Sequence, residues 1–238
     1  MNNYEAKVRS EVAGWAKKMS RRASVTNRLT RNIQTRLNNL LPEKVHKIIT
    51  ETMKQMVKGV LWGSAATSTV KEAGRPLAVV EFEVMERIKW YRRTASAEGG
   101  IAGAGGFMLA LAEFPVLLAT KIKLLFDVAA GYGMDIDDYR ERLFILHIFQ
   151  LTYSGQDKRR EIFMLMRNWN EYVNTLPAQL NEFDWQSFQQ EYRDYLDLAK
   201  LVQLIPGIGI AVGVVVNYRL LDKLGTTAMN AYRMRLGY

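Results

Sequence analysis

Cysteine is absent from the 238 residues, and the chain has only two histidines, His46 and His147. The missing cysteine excludes disulfide bonds, thiolate nucleophiles and thiolate metal sites. Histidine is the most frequent general base and a common metal ligand, so two isolated histidines leave little room for such chemistry. The sequence therefore provides no metal site and no residue that we identify as catalytic. We interpret His147, which lies in an apolar helical run, as a core histidine.

The chain also lacks an uninterrupted apolar run of the kind that spans a membrane. Leu201 to Tyr218 carries no charge and would extend about 27 Å as a helix, but Pro206 interrupts it near its start. The run from Phe107 to Phe126 contains Glu113 and two lysines, and each central charge costs about 2.5–3.5 kcal/mol on insertion scales. The first twelve residues have no apolar core of a secretory signal. These absences predict a cytoplasmic protein.

Positive charge, in contrast, is abundant at one end of the chain. The formal net charge is +9; residues 1–60 hold 13 Lys and Arg against 4 acids (+9), and the remaining residues hold 20 against 20 (zero). A basic arm on a neutral body favours a polyanionic partner, either anionic lipid or nucleic acid, although such a face also serves solubility alone. A soluble adaptor whose arm binds an acidic protein is a further alternative. The sequence has no helix-turn-helix or RNA-binding signature, which disfavours nucleic acid.

The basic arm has helical periodicity. Tyr4, Val8, Val12, Trp15 and Met19 recur at three- and four-residue spacing and form a narrow apolar stripe. A stripe flanked by lysine and arginine is typical of a helix that lies in a membrane interface. The residues predicted to bind the anionic surface are Lys7, Trp15, Lys17, Lys18, Arg21, Arg22, Arg28 and Arg31.

Helical spacing continues through the rest of the chain, and no segment alternates as a strand would. Helix starts are predicted at Pro76, at Asp135 with Asp138 three residues on, at Asp184 and at Thr226, where proline or a side-chain oxygen suits the first turn. The sequence thus predicts an all-α bundle of about nine helices. We expect a basic amphipathic arm over residues 1–62 and a helical body over residues 63–238, forming one domain overall.

Two apolar stretches are rich in glycine, residues 99–106 and residues 205–216. Neither contains a phosphate-binding motif, because Met108 replaces the third glycine of a dinucleotide fingerprint and no Gly-Lys-Ser/Thr occurs; no cofactor is predicted. We predict instead that helices near 107–130 and 207–222 are the most buried and contact each other through small residues. The glycines in question are Gly103, Gly105, Gly106, Gly207, Gly209 and Gly213.

Glu113 and Asn217 are lone polar residues within these apolar segments. A buried carboxylate must be paired, hydrogen-bonded or protonated. We expect Glu113 to be largely buried, with a raised pKa unless a cation such as Arg233 or Arg219 reaches it. The predicted polar core comprises Glu113, Asn217, Tyr218 and Arg233, as a structural anchor or as a functional site. An enzyme acting on lipid or a small molecule at a pocket around Glu113 and Asn217 remains an open alternative, although no nucleophile or cofactor loop accompanies it.

Several short segments resemble the EcsC family, named for a protein encoded beside the ATPase and membrane subunits of an ABC transporter. The segments, in order, are Ala97–Gly100, Gly103–Gly106, Glu113–Pro115, Tyr132–Gly133, Ile205–Gly209, Val216–Tyr218 and Ala231–Arg235. The resemblance covers about residues 75–238 well and extends to the basic arm; family members usually carry Asp at the position of Glu113. It implies a cytoplasmic, membrane-proximal accessory role and ABC transporter subunits as partners, and it implies no catalytic residue.

Overall fold

The computed structural model describes residues 3–21, 43–62, 68–72, 74–102, 112, 114–188, 192 and 210–238. Within those ranges the chain is helical, with no strand, and the prediction of an all-α fold is confirmed. A short helical turn also covers residues 185–188. The helices are α1 (Asn3–Met19), α2 (Glu43–Trp62), α3 (Leu77–Ala102), α4 (Phe114–Gly131), α5 (Tyr139–Tyr153), α6 (Gln156–Arg167), α7 (Trp169–Asn174), the 3₁₀ turn Leu180–Glu182, and α8 (Ile210–Arg235).

Helix α5 lies at the centre of the core. Every residue of α5 except Arg140 is buried. Its start follows the predicted rule, because the Asp138 side chain caps the helix by accepting a hydrogen bond from the Arg140 amide at 2.9 Å. A helix that is buried on all sides must be surrounded by others, and α2, α4, α6 and α8 pack against α5.

Helix α3 packs against both α4 and α8 and runs antiparallel to each of them. Glu81 and Tyr91 of α3 lie beside Arg233 of α8 and Asp127 of α4 respectively, so both neighbours run opposite to α3. Consequently the carboxyl end of α3 and the amino ends of α4 and α8 are at the same end of the bundle.

The expected helix starts at Pro76 and Asp184 are also confirmed. The Pro76 carbonyl accepts from the amide of Val79, and Asp184 Oδ1 accepts from the amide of Ser187 at 3.1 Å. The prediction that Thr226 starts a last helix is wrong, because α8 continues unbroken through it. Neighbouring Thr227 donates its hydroxyl back to the Lys223 carbonyl at 2.8 Å, which satisfies it inside the helix.

Close glycine packing occurs, but at positions other than those predicted. A methyl group added at Gly225 of α8 would lie 2.8 Å from the Ile88 side chain, and one at Gly131 of α4 would lie 2.8 Å from Val84 Cγ2. Both contacts are made with α3. The predicted glycines at 103, 105, 106, 207 and 209 lie outside the described residues, and Gly213 is described only as part of the α8 backbone.

The prediction of the most buried helices is met only in part. The described portion of the first segment, α4, is largely buried, whereas Tyr218 and Arg219 in the second segment are exposed. Among the described elements α5 is buried most completely, since it alone has neighbours on all of its faces.

Candidate functional site

The basic helix α1 is docked on the bundle through its apolar stripe. Val8 is 1% exposed and Val12 is 4% exposed, and both belong to the same hydrophobic cluster as the body of the protein. Trp15 is half-buried and meets the ring of Phe163 edge-on, with centroids 5.4 Å apart. The expectation that this stripe, including Trp15, is available to a membrane is therefore corrected: its apolar surface is already covered by α6 and α8.

The cations of α1 remain on the outside. Lys7, Arg9, Lys17 and Lys18, with Arg21 just after the helix, are exposed. The helix and the two residues after it hold only two acids, Glu5 and Glu11. Because the apolar side is fixed to the core, these cations project from a rigid surface. We call these five residues the cationic face.

A buried ion pair anchors α1 to the bundle. Glu81 of α3 is fully buried, and both its carboxylate oxygens lie 2.6 Å from the Arg233 guanidinium. Tyr4 of α1 donates its hydroxyl to Glu81 Oε2 at 2.5 Å, and Glu11 of α1 accepts from Arg233 at 2.9 Å. The hydroxyl of Tyr132 donates to Glu81 Oε1 at 3.2 Å. Helices α1, α3 and α8 and the end of α4 thus meet at one carboxylate.

The same contacts alter the acidity of these groups. Burial and the neighbouring Glu81 carboxylate raise the pKa of Tyr4 to about 12. Desolvation lowers the pKa of Arg233, but the Glu81 carboxylate outweighs it and the net pKa is raised. Both groups keep their ordinary protonation at neutral pH, so Tyr4 remains a hydrogen-bond donor and Arg233 remains a cation in this network.

The four residues of the predicted polar core do not form one site. Arg233 is occupied by Glu81 and Glu11, while Tyr218 lies fifteen residues earlier on α8, about 22 Å along the axis. Glu113 and the side chain of Asn217 lie outside the described residues. Arg233 pairs with Glu81 because α8 runs antiparallel to α3 and brings its carboxyl-terminal end to that carboxylate.

Tyr218 belongs to a separate surface contact. The Arg92 guanidinium lies over the Tyr218 ring at 4.0 Å from its centroid and bonds the Tyr218 hydroxyl. Arg92 also pairs with Asp222 at 2.5 Å. The contact joins α3 to α8 and leaves Tyr218 partly exposed, which is an arrangement of packing and positioning rather than of acid–base chemistry.

A second buried carboxylate, Glu141 of α5, also bonds to α8. Tyr232 donates its hydroxyl to Glu141 Oε1 at 2.8 Å, and Arg235 pairs with Oε2. Burial raises the pKa of Glu141 above its usual value even though Arg235 and Tyr232 act to lower it. The Arg235 guanidinium also covers the ring of Phe144, with 4.8 Å to the centroid. The carboxyl-terminal turns of α8 are thus fixed by two separate carboxylates.

A groove of about 530 Å³ lies between α3 and the end of α4. Its polar centre is Asp127, which accepts from the hydroxyls of Tyr91 and Ser68 at 2.7 Å each and pairs with Lys123. Exposed Phe82 and Trp90 of α3 line the groove. Since the central carboxylate is already held by three donors, the groove contains a structural anchor and shows no group poised for catalysis.

Sequence reasoning missed Glu81, Asp127 and Glu141. A signal existed for Glu81, because it shares a helical face with Val80, Val84 and Ile88, which are buried. A carboxylate within an apolar face requires a buried partner, but the spacing could not identify which cation supplies it.

The described ranges contain no group of three or more His, Asp or Glu arranged to hold a metal ion. No helix in the described part of the chain is long and apolar enough to cross a bilayer.

Comparison with known proteins gives one consistent family. The EcsC protein family model matches residues 6–236, which includes α1. Protein EcsC from Bacillus subtilis (strain 168) is 39% identical over 227 residues, covering 95% of this chain and 93% of that protein. A second protein of the same organism, uncharacterized protein YdbA, is 30% identical over 164 residues, covering 67% of this chain and 59% of its own length. No solved structure matches the chain.

The family match extends over both the basic amino-terminal helix and the helical body that it packs against. It confirms the resemblance that the short segments from Ala97 to Arg235 indicated. The chain belongs to the EcsC protein family.

Proposed function

We propose that this protein is a non-enzymatic accessory protein that docks at the inner face of the cytoplasmic membrane through the cationic face of α1. The observation that carries the proposal is the position of α1: its apolar stripe is covered by the core, and its five cations are exposed. All of the net positive charge of the chain lies in residues 1–60, so the remaining surface has no comparable attraction for anions.

The strength of such docking follows from electrostatics alone. Each lysine or arginine close to an anionic bilayer contributes about 1 kcal/mol, and the attraction decays within a Debye length of about 10 Å at 0.1 M salt. Five described cations, opposed by Glu5 and Glu11, support reversible and salt-sensitive binding. Arg22, Arg28 and Arg31, outside the described residues, add to the same charge. The buried stripe contributes no insertion energy.

The protein partner that we propose at the membrane is a subunit of an ABC-type transporter. This part rests on the family resemblance, and the cationic face provides the orientation that would hold the body beside a membrane-embedded subunit. A soluble adaptor that uses the same face to bind an acidic protein is the alternative outcome of the test below.

Vesicle sedimentation tests the docking step. Full-length protein is mixed with phosphatidylcholine vesicles that contain or lack phosphatidylglycerol, across a salt series. The test variant reverses two exposed charges, Lys17→Glu and Lys18→Glu; deleting α1 would remove Val8 and Val12 from the core and is avoided. The matched control reverses two exposed charges of the neutral body, Lys89→Glu and Arg93→Glu.

We expect binding that requires phosphatidylglycerol, weakens with salt and falls by about tenfold or more in the α1 variant. The control variant should bind nearly as the wild type does. If the wild-type protein stays in the supernatant with anionic vesicles at low salt, the membrane proposal fails and the adaptor replaces it. Equal losses in both variants would show that net charge, and not the cationic face, governs binding.

A further inference from the structure

A small cavity of about 110 Å³ lies between α5, α6, α7 and the segment around Phe188. Its walls are mainly apolar and aromatic, from Ile162, Leu165, Tyr172 and Phe188. Its polar side chains are those of His147 and Gln150, which are buried, and of Glu161, which is exposed, together with the hydroxyls of Tyr172 and Tyr192. The Tyr192 hydroxyl donates to the Leu146 carbonyl at 2.9 Å. The site is separate from the cationic face and from the groove beside α4.

His147 is the polar centre of this cavity. The imidazole is 5% exposed and is bordered by the rings of Trp169, Tyr172 and Phe188, with centroids 5.6 to 6.0 Å away. Burial lowers the pKa of His147 to about 4, so the ring is neutral at pH 7. Its Nδ1 lies 3.0 Å from Gln150 Oε1. Because Oε1 only accepts, Nδ1 carries the proton and Nε2 presents a lone pair.

That lone pair has no protein partner. Among the residues that the structure describes, Nε2 of His147 is buried without a hydrogen bond. The indole Nε1 of Trp169, whose ring packs 5.8 Å from the imidazole, is also buried without one in that part of the chain. Buried polar atoms are nearly always satisfied, so the open acceptor of His147, which lines the cavity, indicates a bound hydrogen-bond donor. A hydroxyl meets this requirement because it can donate its proton, whereas a carbonyl only accepts.

We propose that this cavity binds a small neutral alcohol or phenol, whose hydroxyl donates to His147 Nε2 while its apolar body lies against Leu165 and Phe188. The size is appropriate, because an apolar cavity of about 150 Å³ takes up benzene and this site is of the same order. A charged ligand is disfavoured, since the buried polar side chains of the cavity, His147 and Gln150, carry no charge to offset the cost of burying one. The site is independent of membrane docking.

The two histidines make a direct test possible. Full-length protein labelled with ¹⁵N and ¹³C in histidine is titrated with phenol, with toluene as the probe of matched shape that lacks a hydroxyl. We expect a saturable change in the His147 Nε2 and ring resonances with phenol, a binding constant at least tenfold weaker with toluene, and no change at His46. Urea unfolding should show stabilisation by phenol that follows the same binding curve.

Two variants complete the design. His147→Phe keeps an aromatic ring but removes the acceptor, and it should reduce phenol affinity at least tenfold; His46→Gln should leave it unchanged. No saturable change at His147, equal affinity for phenol and toluene, or unaltered phenol binding by folded His147→Phe would each overturn the proposal. The comparison of phenol with toluene uses only wild-type protein, so it decides the question even if a variant fails to fold.

Discussion

Glu81 and Arg233 are 152 residues apart in the sequence and form a bidentate ion pair in the core, with both N–O distances at 2.6 Å. Tyr4 and Glu11 of α1 join the same pair, so the basic helix is held by the contact that also joins α3 to α8. The position of the cationic face therefore depends on the buried carboxylate of Glu81, although none of the five cations contacts that carboxylate.

Removing one member of this pair should be costly. Glu81→Ala leaves a buried guanidinium whose remaining carboxylate, Glu11, is partly exposed, and we expect a loss of about 3–5 kcal/mol in the free energy of unfolding. The double variant Glu81→Met with Arg233→Met should recover much of that loss, because it leaves no uncompensated charge. Urea unfolding followed by circular dichroism measures both. A double variant as unstable as the single one would show that the pair itself is strongly stabilising.

Gly225 permits α8 to approach α3. Gly225→Ala would place a methyl group 2.8 Å from Ile88, so crowding should cancel or exceed the gain of about 1 kcal/mol that alanine normally brings to a helix. The matched control is Gly59→Ala in α2, where nothing lies within 4 Å and the ordinary gain is expected. Truncating the neighbour by Ile88→Ala should restore the gain at position 225, as a double-mutant cycle of thermal unfolding would show. Equal stabilisation by both glycine substitutions would refute the close contact.

Trp15 should contribute to the stability of the folded protein and little to lipid binding. Trp15→Ala removes the contact with Phe163, and because the side chain is only half-buried we expect a loss of about 2–3 kcal/mol, below that of a fully buried tryptophan. The folded variant should still bind anionic vesicles, whereas the double reversal at Lys17 and Lys18 should weaken vesicle binding with little change in stability. Loss of vesicle binding in folded Trp15→Ala protein would show that the apolar stripe of α1 itself takes part in membrane binding.

The buried His147 should make stability depend on pH. Its pKa is about 4 in the folded protein against an ordinary value of 6.5, so the unfolded chain binds the proton more tightly. The contribution of His147 to stability is complete above pH 6.5 and is lost as the pH falls towards 4, by about 3 kcal/mol in total. The difference in unfolding free energy between wild type and His147→Leu, measured by urea unfolding at pH 7 and pH 4.5, isolates this effect. A difference that does not change with pH would mean that the imidazole is protonated as readily in the folded state.

Much of the secondary structure was predictable because its causes are local. Helical spacing, Pro76 before α3, and the side chains of Asp138 and Asp184 each act within one or two turns of the chain. Thr226 was misread for the same reason: a threonine suits a helix start, but its neighbour Thr227 is equally satisfied by bonding back within the helix. The family, too, was identifiable from short segments, because a sequence motif can be recognised without knowing which residues it contacts.

The sequence by itself determined the helical composition, the uneven charge and the amphipathic pattern of α1. The tertiary structure alone decided what covers the apolar stripe, because the hydrophobic effect favours removing Val8 and Trp15 from water whether the covering surface is the protein core or lipid. It also decided the partner of Arg233. The antiparallel course of α8 along α3 brings Glu81 to Arg233 and places Tyr218 beside Arg92. Charge and hydrophobicity determine which side chains must be paired or covered. Only the packing of helices that are distant in sequence determines which partner each of these side chains has.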